Sequence, residues 1–179
     1  MAEKIKRVGF GQVEPNHLSA QKTGQIYAQL PVKSDIKILE NGQFAKYDYA
    51  NGEVNYTGEG EWMLVFNEVK LYDDAWRESY KDFALIKENM VGGEMTPRLI
   101  KTNIGDIFTT NCLEVANTSG KREVETTESY DVGDKLGVAA TGYLSKAAIN
   151  DGYKGPVFKI VKIYTLADMQ PAVKVQRIG

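Results

Sequence analysis

Apolar and polar residues alternate along most of this chain in short runs, interrupted by Gly, Asn, Asp or Pro. Alternation with a period of two places every second side chain on one face of a strand. Residues 25–32 alternate loosely and end at a proline, and residues 36–39 are followed by the turn formers Glu40, Asn41 and Gly42. Residues 44–49 lead through Ala50, Asn51 and Gly52 into residues 53–56, the pattern of a hairpin whose Asn and Gly tolerate positive φ. Residues 61–67 form a continuous apolar run with Trp62, Met63, Leu64, Val65 and Phe66, as a buried central strand requires. Further strands are predicted over 98–102, 106–110, 112–116, 123–127, 135–140, 157–166 and 172–178, where β-branched and aromatic residues concentrate. Turns about ten residues apart suit a barrel or a sandwich.

One stretch favours helix. Asp73 and Asp74 would complement a helix N-terminus, and Trp76, Tyr80 and Phe83 would then share one face, although a loop stays open at that length. Gly92, Gly93 and Pro97 mark a long loop or junction over 88–97. The expected fold is therefore mainly β, barrel- or sandwich-like, with antiparallel strands, an extended N-terminal arm and at most one or two short helices. The boundaries are an arm at 1–23, an N-terminal β lobe at 24–91 and a C-terminal β-barrel-like lobe at 92–179. The two lobes are open to being one continuous domain. The segment around Asn103, Ile104, Gly105 and Asp106 is echoed at Asp131, Val132, Gly133 and Asp134. Each is a tight turn ahead of a strand, with Gly taking the unusual dihedral and Asp bonding the turn's own backbone.

The first 23 or so residues hold no period for long, with Val8, Phe10, Val13 and Leu18 scattered among Gly9, Gly11, Pro15, Asn16 and Lys22. This is either a frayed terminus or an arm that orders on a neighbour, because isolated apolar side chains suit docking into pockets. In the second case Lys4, Lys6 and Arg7 supply charge and Val8, Phe10 and Leu18 supply burial. The segment is then poorly ordered in the isolated protein, since it buries too little to offset its ordering entropy of about 1–2 kcal/mol per residue.

Composition narrows the chemistry. The chain has 179 residues, 42% hydrophobic and 26% charged, with 22 basic and 24 acidic side chains and a net charge of -2. That balance lacks the basic excess of a general nucleic-acid binder. Cys112 is the one cysteine, so no intrachain disulfide forms, and His17 is the one histidine, which excludes zinc sites of three or four His and Cys ligands. A Cys–His nucleophile or a Ser-His-Asp triad would each need His17, in the unpatterned segment. The longest apolar run, 157–166, is broken by Lys159 and Lys162 and falls short of the about 20 residues that span a bilayer. The basic start lacks the apolar stretch of a secretory signal, so synthesis in the cytoplasm is expected. The segments at Gly9 and Gly11, Gly58 and Gly60, and Gly92 and Gly93 read as turns, because none completes a nucleotide-binding fingerprint. Glu59 and Glu61 would share a strand face, and Asp73, Asp74 and Glu78 lack the spacing of a calcium loop. Tyr47, Tyr49 and Tyr56 gather at the first hairpin, where they can cover a core, a subunit interface or a sugar.

Three regions together resemble the capsid decoration (cement) and minor head proteins of tailed bacteriophages. They are residues 7–14, residues 103–111, and the C-terminal stretches 132–139, 157–168 and 172–176. The resemblance implies a β-rich virion structural protein, made in the host cytoplasm and bound to the outer capsid shell. Its partners would be the major capsid protein or other virion proteins, and it would act as a homo-oligomer or multi-copy assembly. It would need no cofactor, metal or catalytic residue, and would make no direct contact with nucleic acid or membrane. A tail- or fibre-associated adaptor that binds protein or surface glycan is the alternative, and a carboxylate-based hydrolase is a third reading.

Overall fold

The computed structural model describes residues 2–16, 18, 30–67, 84–116 and 123–179. It is mainly β, with 44% strand and 3% helix, with no helix of seven residues or more among the described residues, and its antiparallel sheet curls into a half-barrel. The predicted helix at 73–83 and most of the predicted strand at 25–32 lie outside the described residues, as does His17.

The described residues form fourteen strands. They are β1 (Glu3–Val8), β2 (Val13–Glu14), β3 (Ile38–Glu40), β4 (Phe44–Asp48), β5 (Glu53–Asn55), β6 (Met63–Val65), β7 (Ala84–Ile86), β8 (Leu99–Ile100), β9 (Ile107–Thr110), β10 (Glu123–Tyr130), β11 (Lys135–Val138), β12 (Leu144–Ser145), β13 (Phe158–Thr165) and β14 (Pro171–Arg177). The largest sheet has the order β12-β11-β13-β14-β9-β2, and a four-stranded sheet has the order β5-β4-β6-β8. Two ribbons, β1-β10 and β3-β7, complete the fold. The β4–β5 hairpin turns where Asn and Gly predict it: Gly52 has φ +66°, and the Asp48 carboxylate accepts hydrogen bonds from the Asn51 backbone and side-chain amides. β6 runs between β4 and β8 with all three residues buried, as its unbroken apolar run requires.

The main core crosses the expected lobe boundary. Phe44 of β4, Phe108 of β9 and Phe158 of β13 meet with ring centroids 5.3–6.3 Å apart. Around them pack Leu64, Ile100, Leu136, Ile160, Val173 and Val175. A smaller cluster of Leu39, Ala45, Tyr47, Val54, Met63, Val65 and Leu99 sits on the other side of β4 and β6. Alternate residues of β4 and β6 thus face different clusters, as the pleat dictates. Residues 24–91 and 92–179 share one interior in their described parts.

Part of the segment expected as an N-terminal arm is built into the fold. Residues 3–8 are a strand, paired antiparallel with β10 through Glu3↔Tyr130, Lys6↔Glu125 and Val8↔Glu123. Ile5 and Leu18 belong to the main core. The missing burial that made an arm plausible is supplied by the chain itself. β1 alternates Lys4 and Lys6 outward with Ile5 and Arg7 inward, so half of its inward pattern is a cation. That cation has an internal partner. Arg7 Nη2 donates to both oxygens of Glu40, at 2.8 and 3.2 Å, and the two residues are only 3% and 7% exposed.

Removing one member of a buried ion pair strands the other charge and costs about 3–5 kcal/mol, whereas replacing both with apolar residues is often nearly neutral. Arg7→Met and Glu40→Met should therefore each destabilise the protein strongly in urea melts, and the double variant should be more stable than either single variant. A loss below about 1 kcal/mol for both single variants would show that β1 is not held by this pair.

Candidate functional site

The six residues expected to bind a partner are engaged within the chain. Lys4 Nζ lies 3.7 Å from Glu125 and Lys6 Nζ lies 2.7 Å from Glu123, both as exposed pairs on the β1-β10 ribbon. Such exposed pairs contribute little and are readily screened. Arg7 is buried against Glu40, the half-buried Val8 donates its backbone N–H to the Gln170 side chain at 2.7 Å, and Leu18 is in the core. Phe10 is half-buried. Arg7 and Leu18 thus lie in an interior seam, Val8 and Phe10 are half-buried, and Lys4 and Lys6 remain exposed on the ribbon.

Behind the seam lies a buried polar node. Glu40 Oε2 accepts from Arg7 and from the Tyr143 hydroxyl at 2.9 Å, and the Cys112 sulfur is 4.0 Å away. The Arg7 guanidinium carbon sits 5.8 Å from the Tyr143 ring centre. Gly11 makes room for this packing, since a Cβ there would fall 2.8 Å from the Cys112 sulfur and 2.5 Å from the Asn41 carbonyl oxygen. Cys112 is fully enclosed. Burial pushes its thiol well above the usual range, Glu40 adds to the shift, and Arg7 partly opposes it. Burial likewise raises the Tyr143 hydroxyl beyond the ordinary phenol range, and carries that of Tyr56 to about 12. A thiol so disfavoured as thiolate is chemically inert, so the node works as structure.

The tyrosines at the first hairpin separate. Tyr47 is core, Tyr56 is half-buried and Tyr49 is 67% exposed, with the Tyr47 and Tyr49 rings 5.6 Å apart. Of the carboxylates, Glu61 is held by Lys101 at 2.8 Å and by Arg177 at 3.1 Å, while Glu59 is exposed nearby. Asp73, Asp74 and Glu78 fall outside the described residues. Among the described residues, no group of three or more His, Cys, Asp or Glu is placed to hold a metal.

The solvent face of β11, β13 and β14 carries a cluster of lysines that pattern reading overlooked. Register places Lys135 opposite Lys159 and Lys162 opposite Lys174. Their strand neighbours Leu136, Phe158, Val173 and Val175 point into the core, so the lysines point out. Like charges directly opposite on a ladder repel, yet among the described residues none of the four lysines is in an ion pair. Tyr164 offsets part of the repulsion, with Lys174 Nζ 4.8 Å and Lys162 Nζ 5.7 Å from its ring centre. Two aliphatic residues adjoin this basic face. Val161, at the bulge in β13, is 38% exposed, and Val132, at a turn tip, is 62% exposed. Val132 belongs to one of the two echoed turns. In both the glycine has positive φ (Gly105 +97°, Gly133 +100°), and the Asp carboxylate accepts the backbone N–H of the turn's first residue (Asn103 at 2.7 Å, Asp131 at 2.8 Å). The Gly133 N–H bonds the Ile160 carbonyl at 2.8 Å, which fixes the Val132 tip beside β13.

No protein family, curated protein or solved structure matches this chain.

The node makes a pH-dependent prediction. In the unfolded chain a thiol ionises near about 8.5 and a phenol near about 10. In the folded protein Cys112 and Tyr143 hold their protons to higher pH. The unfolded state therefore binds fewer protons at alkaline pH, and stability falls as pH rises. The free energy of unfolding should start to decline near pH about 8.5, at up to about 1.4 kcal/mol per pH unit for the thiol, and more steeply above about 10. Cys112→Ala should remove the first stage of the decline. An unchanged profile in that variant would contradict a buried neutral thiol.

Proposed function

We propose that this chain is a non-enzymatic structural protein of a tailed-bacteriophage particle, carried in many copies on the shell and attached through the lysine face of β11, β13 and β14. The observation that supports it is the placement of lysine opposite lysine at two points of the ladder, offset in part only at Tyr164. On a chain whose net charge is -2, these lysines form a concentrated basic field rather than part of a generally basic surface. An acidic partner surface would relieve the repulsion and speed docking. The aliphatic Val132 and Val161 suit a protein partner. Weak individual contacts become durable when a lattice presents the same site many times. Charge-driven attachment therefore moves from Lys4, Lys6 and Arg7, which are paired within the chain, to this face.

The test is a charge reversal on native particles. Lys159→Glu, Lys162→Glu and Lys174→Glu combined should leave the circular dichroism spectrum unchanged. Its occupancy on purified heads, counted by electron microscopy and mass spectrometry, should fall about tenfold or more, and attachment of the unaltered protein should weaken as salt rises. Full occupancy by the variant would overturn the assignment of the face, and failure of the unaltered protein to associate with heads would overturn the function.

A further inference from the structure

A cleft of about 620 Å³ opens between Trp62 and the 152–156 loop, with Lys46, Glu59, Glu61 and Arg177 also on its walls. That volume is within the range of small-molecule sites, about 300–1,000 Å³. We propose that this cleft binds a short neutral oligosaccharide, with Trp62 as the stacking platform.

Trp62 is half-buried. It packs against the main core and still lines the cleft, with Lys46 Nζ 4.8 Å from its ring centre. An aromatic ring backed by a core suits the apolar C–H face of a sugar, which would take the place of the flexible Lys46 ammonium over the Trp62 ring. The polar walls are equally fixed. Arg177 donates to Glu61 at 3.1 Å, to the Gly179 carbonyl at 3.0 Å and to the Thr102 carbonyl, and Glu61 also meets Lys101 at 2.8 Å. With Arg177 and Glu61 fixed on each other, the exposed Glu59 and Lys154 on the same walls supply an acceptor and a donor for sugar hydroxyls.

The loop is equally well prepared. The Tyr153 hydroxyl accepts the Val138 backbone N–H at 2.7 Å and donates to the Pro156 carbonyl at 3.0 Å. The ring lies over Gly137, where a Cβ would fall 2.8 Å from the ring carbon Cζ, so only glycine on β11 admits it. Gly60, Gly152 and Gly155 line the cleft; a Cβ at Gly60 or Gly155 would strike the Tyr47 backbone or the Tyr153 ring, whereas Gly152 is open.

The charge pattern separates ligand classes. The lysines of the cleft are interspersed with Glu59 and Glu61, and Arg177 is already matched to Glu61. A phosphate, a sulfated sugar or a nucleic acid would meet both carboxylates. A neutral polyhydroxylated ligand uses donors and acceptors alike and pays no such penalty. This site is independent of the lysine face and does not rest on the virion reading.

The experiment uses the full chain carrying Trp76→Phe, so that Trp62 is the one tryptophan reporter. Neutral di- to tetrasaccharides of glucose, galactose, mannose and N-acetylglucosamine are titrated by calorimetry and by fluorescence, alongside inorganic phosphate and sulfated saccharides. At least one neutral saccharide should bind and shift the Trp62 emission. Trp62→Ala should weaken that binding about tenfold or more, and Trp62→Phe should retain part of it. Because Trp62 also touches the core, Glu59→Gln with Lys154→Ala provides a second probe. Both residues are exposed, so the melting temperature should hold while affinity falls. No binding anywhere in the neutral panel, binding indifferent to both sets of variants, stronger binding of phosphate or sulfated sugar, or hydrolysis of the saccharide would overturn the proposal.

Discussion

The Arg7–Glu40 ion pair is the constraint around which the fold is registered. Taking two charges out of water costs several kcal/mol per ion, and the pair recovers this only when geometry and further hydrogen bonds are good. Here the carboxylate accepts from Arg7 and Tyr143 together, which joins β1, the end of β3 and the chain before β12 at one point. Sliding β1 by one residue along β10 would turn Arg7 to solvent and bring Lys6 inward, where Glu40 would lose its partner. The pair contributes a unique register more than net stability. The close packing around it points the same way, because Gly11 and Gly42 are both pressed against Cys112 at distances no Cβ could occupy.

What was legible in the sequence is what depends on local chemistry. The Asn51–Gly52 turn, the buried run at β6 and the echoed Gly–Asp turns are settled by residues adjacent in sequence, and the structure has them where the pattern puts them. What was not legible depends on distant partners. β1 has a strand's alternation, but its inward positions are Ile5 and Arg7, and a cation at an inward position reads as a solvated terminus until Glu40, in a strand far along the chain, is known to face it. Glu40, Asn41 and Gly42 read as an exposed turn, yet all three are buried, because the turn packs on Cys112 and Thr110. Tyr47 and Tyr49, two apart in the first hairpin, lie side by side. β4 ends at Asp48, however, so Tyr47 stays in the core while Tyr49 is left in solvent. The lysine face was hidden for a related reason. Lys159 and Lys162 were visible only as interruptions of an apolar run, and only the register shows that each faces another lysine.

The same sheet explains both surfaces. The inward residues of β11, β13 and β14 build the phenylalanine-centred core, and their outward residues are left free to carry charge. The Trp62 cleft uses the core differently, as a rigid backing for one aromatic ring, with a loop pinned by Tyr153 as its opposite wall. As proposed, one surface would act through long-range charge that salt screens, and the other through short-range stacking and directional hydrogen bonds. The two are expected to respond to different perturbations and can be separated experimentally.

The most direct measurement is native-state hydrogen exchange of β1 against β9 and β14. A strand locked by a buried ion pair opens only with the whole fold, so its amides share the free energy of the global transition. The Ile5 amide, bonded to Thr126 Oγ1 at 3.0 Å, should therefore exchange with the same free energy as the amides of Phe108 and Val175. Exchange of Ile5 that is orders of magnitude faster, with the core still protected, would show an N-terminal segment that detaches on its own and would contradict a fold registered on Arg7 and Glu40.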